Sequence, residues 1–219
     1  MTLADLRREL SRYLGVVDVA VDNYYAINHV HALNRGQDVV GMDLHIPNTI
    51  ASVATVANET AWPATIRRGG LLSVTAEGAF GRRDVSVVNQ DEAERLRGLF
   101  PSAGPPRMAV PLPTVIRFVP VTGASITYTI SGVATNAAMA IDTDIPWGGL
   151  HLDHAPLIAL YAALYLLQQD GAGRSQERAQ ALQQGYDRER VEAYLRIHPN
   201  RGVAPANLRM ALPAQLRSN

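Results

Sequence analysis

Three groups of side chains carry residue types and spacings that could do chemistry. Asp142 and Asp144 stand two apart, and paired carboxylates suit acid–base work or a hard cation. Two apart before a proline, they also suit the two flanks of a turn. His151, Asp153 and His154 form a second group: imidazoles at i and i+3 can meet on a helix, and His with Asp suits zinc. That group straddles an expected helix start and brings no third ligand, so capping and local hydrogen bonding are the competing roles. His29 and His31 form the third. On a helix, i and i+2 do not share a face, so these two cannot hold one ion together.

Other chemistries find no support in the chain. It has no cysteine, which excludes disulfides, thiolate metal sites and thiol nucleophiles. Gly69-Gly70 and Gly123 do not build a GxGxxG or GxxxxGK[ST] phosphate cradle, and no GxSxG elbow occurs. The doublets Arg67-Arg68 and Arg82-Arg83 can touch phosphates or simply stay solvated. Asn58-Glu59-Thr60 matches a glycosylation acceptor, which matters only in a secreted chain. A small metal-dependent enzyme built on Asp142, Asp144, His151 and His154 is therefore the catalytic alternative, and no residue is assigned a catalytic, cofactor-binding or metal-binding role.

The elements that must position these groups are organised around residues 144–167. Ile145-Pro146 interrupts any preceding helix, Asp153 stands where an N-cap belongs, and Pro156 falls in the tolerated first turn. Leu157, Leu160, Tyr161, Leu164 and Leu167 then mark one face of a core helix with alanines between them. Upstream, Thr2 caps a helix with Leu3, Leu6, Leu10 and Leu14 inward, Arg7, Arg8, Glu9 and Arg12 outward, and Gly15 at its end. A second helix is expected from about Val19 to Arg35, capped by Asp18, with Tyr24, Ile27, Val30 (or His31) and Leu33 inward and Gly36 past its end. Met42, Leu44 and Ile46 alternate as in a strand. Strands are also expected over 71–75, 85–88, 115–119, 125–130 and, weakly, 137–141, with turns at 68–70 and 78–81 and a helical turn at 91–99. Residues 101–113 hold five prolines and read as an extended loop. After Gly171-Ala172-Gly173, a long helix runs from Ser175 to about Ile197 with Ala179, Leu182, Tyr186, Val191 and Leu195 inward.

These expectations assemble into an α+β fold: an antiparallel helical bundle built from N- and C-terminal helices, with an inserted small antiparallel β module and an extended C-terminal arm. The divisions are 1–37 and 145–197 for the bundle, 38–144 for the β-rich module, and 198–219 for the arm. That arm carries Arg201, Arg209 and Arg217, no acid, and apolar anchors at Leu208, Met210, Leu212 and Leu216. About half of the 219 residues are apolar, enough for a core. The 20 basic residues, all arginine, balance 20 acidic ones, so no net field points to nucleic acid or a membrane. Arginine forks suit carboxylate pairing across interfaces. The N-terminus lacks the apolar core of a signal peptide, and no segment is long enough to span a bilayer, so the chain is expected in the cytoplasm unless it leaves in a particle.

The layout resembles the head-to-tail adaptor (connector) proteins of tailed bacteriophages and gene transfer agents. YYAINHVHALNRG (24–36) is similar to the family's early helix, IRFVP (116–120) followed by SITYTI (125–130) to its paired strands, Ile145-Pro146 to its junction before a helix, and the helix bearing Tyr186 and Tyr194 to its last one. The resemblance implies a non-enzymatic virion protein at the head–tail junction, assembled in the host cytoplasm. It implies a ring, commonly a dodecamer, that docks under the portal and contacts a tail or neck protein. DNA would pass through without sequence-specific binding. It also implies that the arm lies along the portal. A tail-terminator or other tail component shares the ring logic but is usually dominated by β structure.

Overall fold

The computed structural model describes residues 1–56, 58–99, 103–120, 124–170 and 173–199. The chain divides into two compact units: Met1–Ile46 with the part that follows Thr135, and Pro47–Thr135.

The first unit is helical. Helix α1 (Leu3–Leu14) has a reciprocal cap in which Thr2 Oγ1 accepts from the Asp5 N–H while Asp5 Oδ2 accepts from the Thr2 N–H, and it ends on left-handed Gly15. Its four leucines are buried, as the spacing requires. Arg7 does not look outward: its guanidinium pairs with Asp142. Helix α2 (His29–Leu44) starts later and runs further than expected. Residues 19–28 are turns because Asp18 and Asp22 turn their carboxylates onto the N–H groups of Ala20, Tyr24 and Tyr25, competing with helix bonding. Tyr24 and Ile27 are therefore exposed, not inward. The alternation at 42–46 is not a strand. Leu33, Val40 and Leu44 lie on one buried helical stripe, which a window of five residues cannot distinguish from period two. Gly36 lies inside α2, where an added Cβ would stand 2.7 Å from the Ile158 carbonyl oxygen. Helix α4 (Pro156–Asp170) is buried on most sides, including Leu157, Leu160, Leu164 and Leu167. Asp153 is not its cap; Leu152–His154 form a separate 3-10 turn before Pro156. Helix α5 (Gly173–Ile197) buries Tyr186, Val191 and Tyr194, whereas Leu195 is exposed. Residues 171 and 172 of the expected glycine link lie outside the described residues.

The second unit overturns the expected fold class. It is a mixed seven-stranded sheet that nearly closes into a barrel, accompanied among the described residues by five α-helices, and not a small antiparallel module inserted in a helical bundle. Its strands are β1 (Asn48–Thr55), β2 (Glu59–Ala61), β3 (Ile66–Gly78), β4 (Gly81–Val87), β5 (Met108–Pro111), β6 (Val115–Val119) and β7 (Ile126–Ala134), in the order β1-β7-β3-β4-β5-β6-β2. The β4–β5 pair is parallel, and a parallel pair needs a crossover connection; helix α3 (Gln90–Arg97), capped by Asn89, lies in that connection. The turn at 78–81 is the β3–β4 hairpin, but 68–70 lies within β3, where the pairing with β7 shifts register. The proline-rich segment is not loop throughout, since Met108–Pro111 pairs with β6. Ile66, Val74, Ile116, Phe118, Ile126, Tyr128 and Ile130 fill the core of this unit. Phe118 and Tyr128 stack at 3.6 Å there, and burial pushes the Tyr128 phenol up to about 12.

The stretch 137–141 is not a strand either. It is held in the helical unit by α2. Asn34 meets both backbone groups of Met139: Oδ1 accepts its N–H at 2.7 Å and Nδ2 donates to its carbonyl at 2.9 Å. Gln37, buried, donates to the Ala137 carbonyl at 3.0 Å and accepts the Trp147 N–H at 3.2 Å, while its own carbonyl accepts Trp147 Nε1–H at 3.1 Å. Replacing Gln37 with leucine keeps the volume, strands the buried Trp147 N–H and leaves the carbonyl of exposed Ala137 to solvent. Gln37→Leu is expected to lower unfolding free energy by about 1–3 kcal/mol in denaturant melts. A loss under about 0.5 kcal/mol, the range of an ordinary surface substitution, would remove the clasp from the account.

Candidate functional site

Each of the three chemical groupings has a structural occupation. Asp144 Oδ2 accepts the N–H groups of Ala140 (2.6 Å) and Ile141 (2.9 Å), and these bonds, Ala140's first, hold its carboxyl below the usual carboxylate range. The backbone carbonyls of Asp144 and Asp142 accept the first N–H groups of α1, from Leu3 and Ala4, and the Asp142 side chain pairs with Arg7. The two aspartates therefore form a turn that receives the N-terminus of α1. His29 is buried with Nδ1 2.7 Å from the Ala26 carbonyl, while His31 is exposed near Tyr165, so the two do share no face. Among the described residues no group of three or more His, Asp or Glu is placed to hold a metal ion.

His154, but not His151, lines an open notch of about 450 Å³ between the start of α4 and the second half of α5. His151 is exposed in a left-handed conformation, and His154 is half-buried in the lining with Asp153. Arg188, Glu189, Glu192 and Arg196 come from α5, with Arg196 3.7 Å from Glu192. Such mixed charge can seat a partner's polar side chain but aims no group at a common reacting atom. Burial, then the neighbouring His151, holds His154 below its ordinary value. Deeper in the unit, Asp43 accepts from the Tyr186 hydroxyl and from Arg190 Nη1, both at 2.9 Å, joining α2 to α5. Burial, reinforced by Asp43, pushes the Tyr186 phenol far up, so it stays a donor. Sequence reasoning missed this pair; its only signal was Tyr186 on the inward stripe.

The basic doublets do not converge. Arg67-Arg68 opens β3, whereas Arg82-Arg83 lies past the β3–β4 hairpin turn, where Arg83 sits over the Phe80 ring at 5.8 Å. Glu59 of the Asn58–Thr60 tripeptide belongs to β2 and faces Arg117 across the ladder at 3.7 Å. Between α1 and α2, Val17, Val21, Tyr24 and Ile27 are 103%, 76%, 57% and 88% exposed. The arm residues Arg201, Leu208, Arg209, Met210, Leu212, Leu216 and Arg217 lie outside the described residues. The arm's first residue, His198, does not: its Nε2 lies 2.9 Å from the Leu44 carbonyl and its ring packs on Tyr194.

A profile of the SU10 adaptor protein family matches residues 1–209. The chain belongs to this family, and it is a phage head–tail adaptor, a structural protein of the phage particle. No curated protein matches it.

The pH dependence of the notch follows from His154. Its folded pKa lies below the unfolded value of 6.5, so the folded chain binds fewer protons through that window. His154 therefore favours the fold fully above about pH 6.5, and this contribution is lost as pH falls through the folded pKa. Between about pH 7.5 and 5.5, thermal midpoints of the native chain are expected to fall more steeply than those of His154→Gln. Parallel curves would show that His154 is not desolvated.

Proposed function

We propose that this chain is a ring-forming head-to-tail adaptor that docks beneath the portal and links it to a tail or neck protein. The observation that carries the reading is the family match, which runs from the first residue through both compact units. Identical copies joined by one heterologous contact close into a ring when the rotation permits, and a dodecamer matches a dodecameric portal. The packaged DNA passes through the ring. Contacts with it are sequence-independent, in keeping with zero net charge and doublets of arginine that do not converge. We read the chain as structural and not catalytic, without cofactor. Support comes from the carboxylates best spaced for chemistry, Asp142 and Asp144, which are spent on an arginine and on backbone groups.

The segment 198–219 is the portal-binding arm in this reading. Leu208, Met210, Leu212 and Leu216 supply apolar area, and Arg201, Arg209 and Arg217 pair with portal carboxylates, against the cost of ordering the segment. Because His198 is tied to α2 and α5, the informative truncation ends at Pro199. This variant is expected to keep the helix content of the full chain by circular dichroism and to lose at least about tenfold in co-sedimentation with portal rings, about 1.4 kcal/mol or more of binding. Undiminished sedimentation would remove the arm from the interface.

A further inference from the structure

The two ends of the sheet in the second unit are guarded unequally. The sheet runs from β1 at one end to β2 at the other. An edge strand offers a row of unpaired N–H and C=O groups, and native chains blunt such rows by shortness, charge, proline or a bulge. β2 is blunted: it is three residues long and carries Glu59, which faces Arg117. β1 has none of these devices. Its eight residues, Asn48-Thr49-Ile50-Ala51-Ser52-Val53-Ala54-Thr55, contain no charge and no proline, and they pair with β7 in one unbroken register.

That register fixes which backbone groups point where. The Ala134 N–H donates to the Pro47 carbonyl, so the odd-numbered residues of β1 bond to β7 and the even-numbered ones turn their backbone groups away from it. Asn48, Ile50, Ser52 and Ala54 therefore present their N–H and C=O groups along the outer edge, where no strand is placed among the described residues. The same residues carry exposed side chains, and Ile50 is 68% exposed. Ala51 and Val53, on the other face, pack against the core of the unit.

A second β1 fits this edge. Antiparallel pairing about a twofold axis through Ala51 sets Asn48 opposite the second copy's Ala54, Ile50 opposite its Ser52, and Ala51 opposite itself. Every outward N–H and C=O of Asn48, Ile50, Ser52 and Ala54 in both copies is then used. The two Ile50 side chains become diagonal neighbours on the exposed face, within reach of each other. On the inner face Thr49 meets the second copy's Val53. A charge on this strand would enter such a pair twice, and β1 has none.

We infer that two free copies of the chain join edge to edge through β1, as an antiparallel pair centred on Ala51. The contact is isologous, with the same residues given by both copies. It is thus distinct from the heterologous contact that closes a ring and does not rest on the ring reading.

The edge can be blocked without touching the sheet. Ser52 turns its N–H outward, so Ser52→Pro removes a donor that β7 does not use, and proline is tolerated on that side of an edge strand. In sedimentation equilibrium the native chain is expected at twice the monomer mass and Ser52→Pro at the monomer mass, with unchanged circular dichroism. If Ser52→Pro does not fold, Ser52→Lys takes its place; its charge, brought into the pair twice, should weaken association by at least about tenfold. A monomeric native chain, or a larger assembly whose mass the folded variant leaves unchanged, overturns the inference. The absence of cysteine allows the register to be tested as well. Ala51 and its counterpart form a non-hydrogen-bonded pair in this register, with Cα atoms about 4.5 Å apart, a separation that a disulfide spans. Ala51→Cys is expected to oxidise to a linked dimer in at least about tenfold higher yield than Ala54→Cys, because two copies of position 54 lie about 20 Å apart along the paired strands. Equal yields, or a higher yield from the more exposed position 54, overturn the pairing.

Discussion

The helical unit depends on a clasp between one helix and a strand-like return of the chain. The chain leaves this unit after Ile46 and comes back at Asn136, so its two halves are joined through 89 residues that belong to the other unit. Closing such a loop costs entropy that grows only slowly with length, but the return must still be fixed in place. Asn34 and Gln37 do this from α2. Asn34 treats Met139 as a strand would, offering one donor and one acceptor. Gln37 spends its side chain on Ala137 and Trp147 and its carbonyl on the Trp147 indole. Trp147 pays for its buried place with a left-handed backbone, φ 52°, that a bulky side chain adopts only when its surroundings hold it. Once the return is fixed, the turn at 140–144 can receive the N-terminus of α1, and α4 can enter between α1, α2 and α5.

What was legible in the sequence follows the strength of the local signal. Helix α1 announces itself through four leucines at helical spacing between a threonine cap and a glycine stop, and the structure matches at both ends. The inward stripe of α4 and the strand over 115–119 were equally plain. The failures share a cause: a local hydrogen bond or a tertiary contact outweighed periodicity. Tyr24 and Ile27 have helical spacing, but Asp18 and Asp22 claim the backbone first. Gly36 resembles a helix stop and instead lets α2 approach the backbone of Ile158. β5 hides among prolines because its pairing partners, β4 and β6, are not its immediate reading frame. Missing β1, β2 and β5 made the sheet look small and purely antiparallel, when it is mixed and nearly closed.

The candidate site was legible mainly by elimination. Asp142 and Asp144 were recognisable as turn residues, but their service to α1 required the fold. The Asp43–Tyr186–Arg190 contact spans more than 140 positions and leaves no local trace. Tyr24 and Ile27, exposed in the structure, were misread because they were assigned to the inward face of a helix that does not form there. What remains is a protein whose polar groups hold its own frame and whose free surfaces are suited to partners.

We propose that the helical unit is the repeating body of a ring seated on a portal. Electron microscopy of the full chain mixed with the particle's portal rings is the decisive test. A symmetric ring of added density on one face of the portal is expected. Portal rings unchanged in outline, with this chain left monomeric in solution, would contradict it.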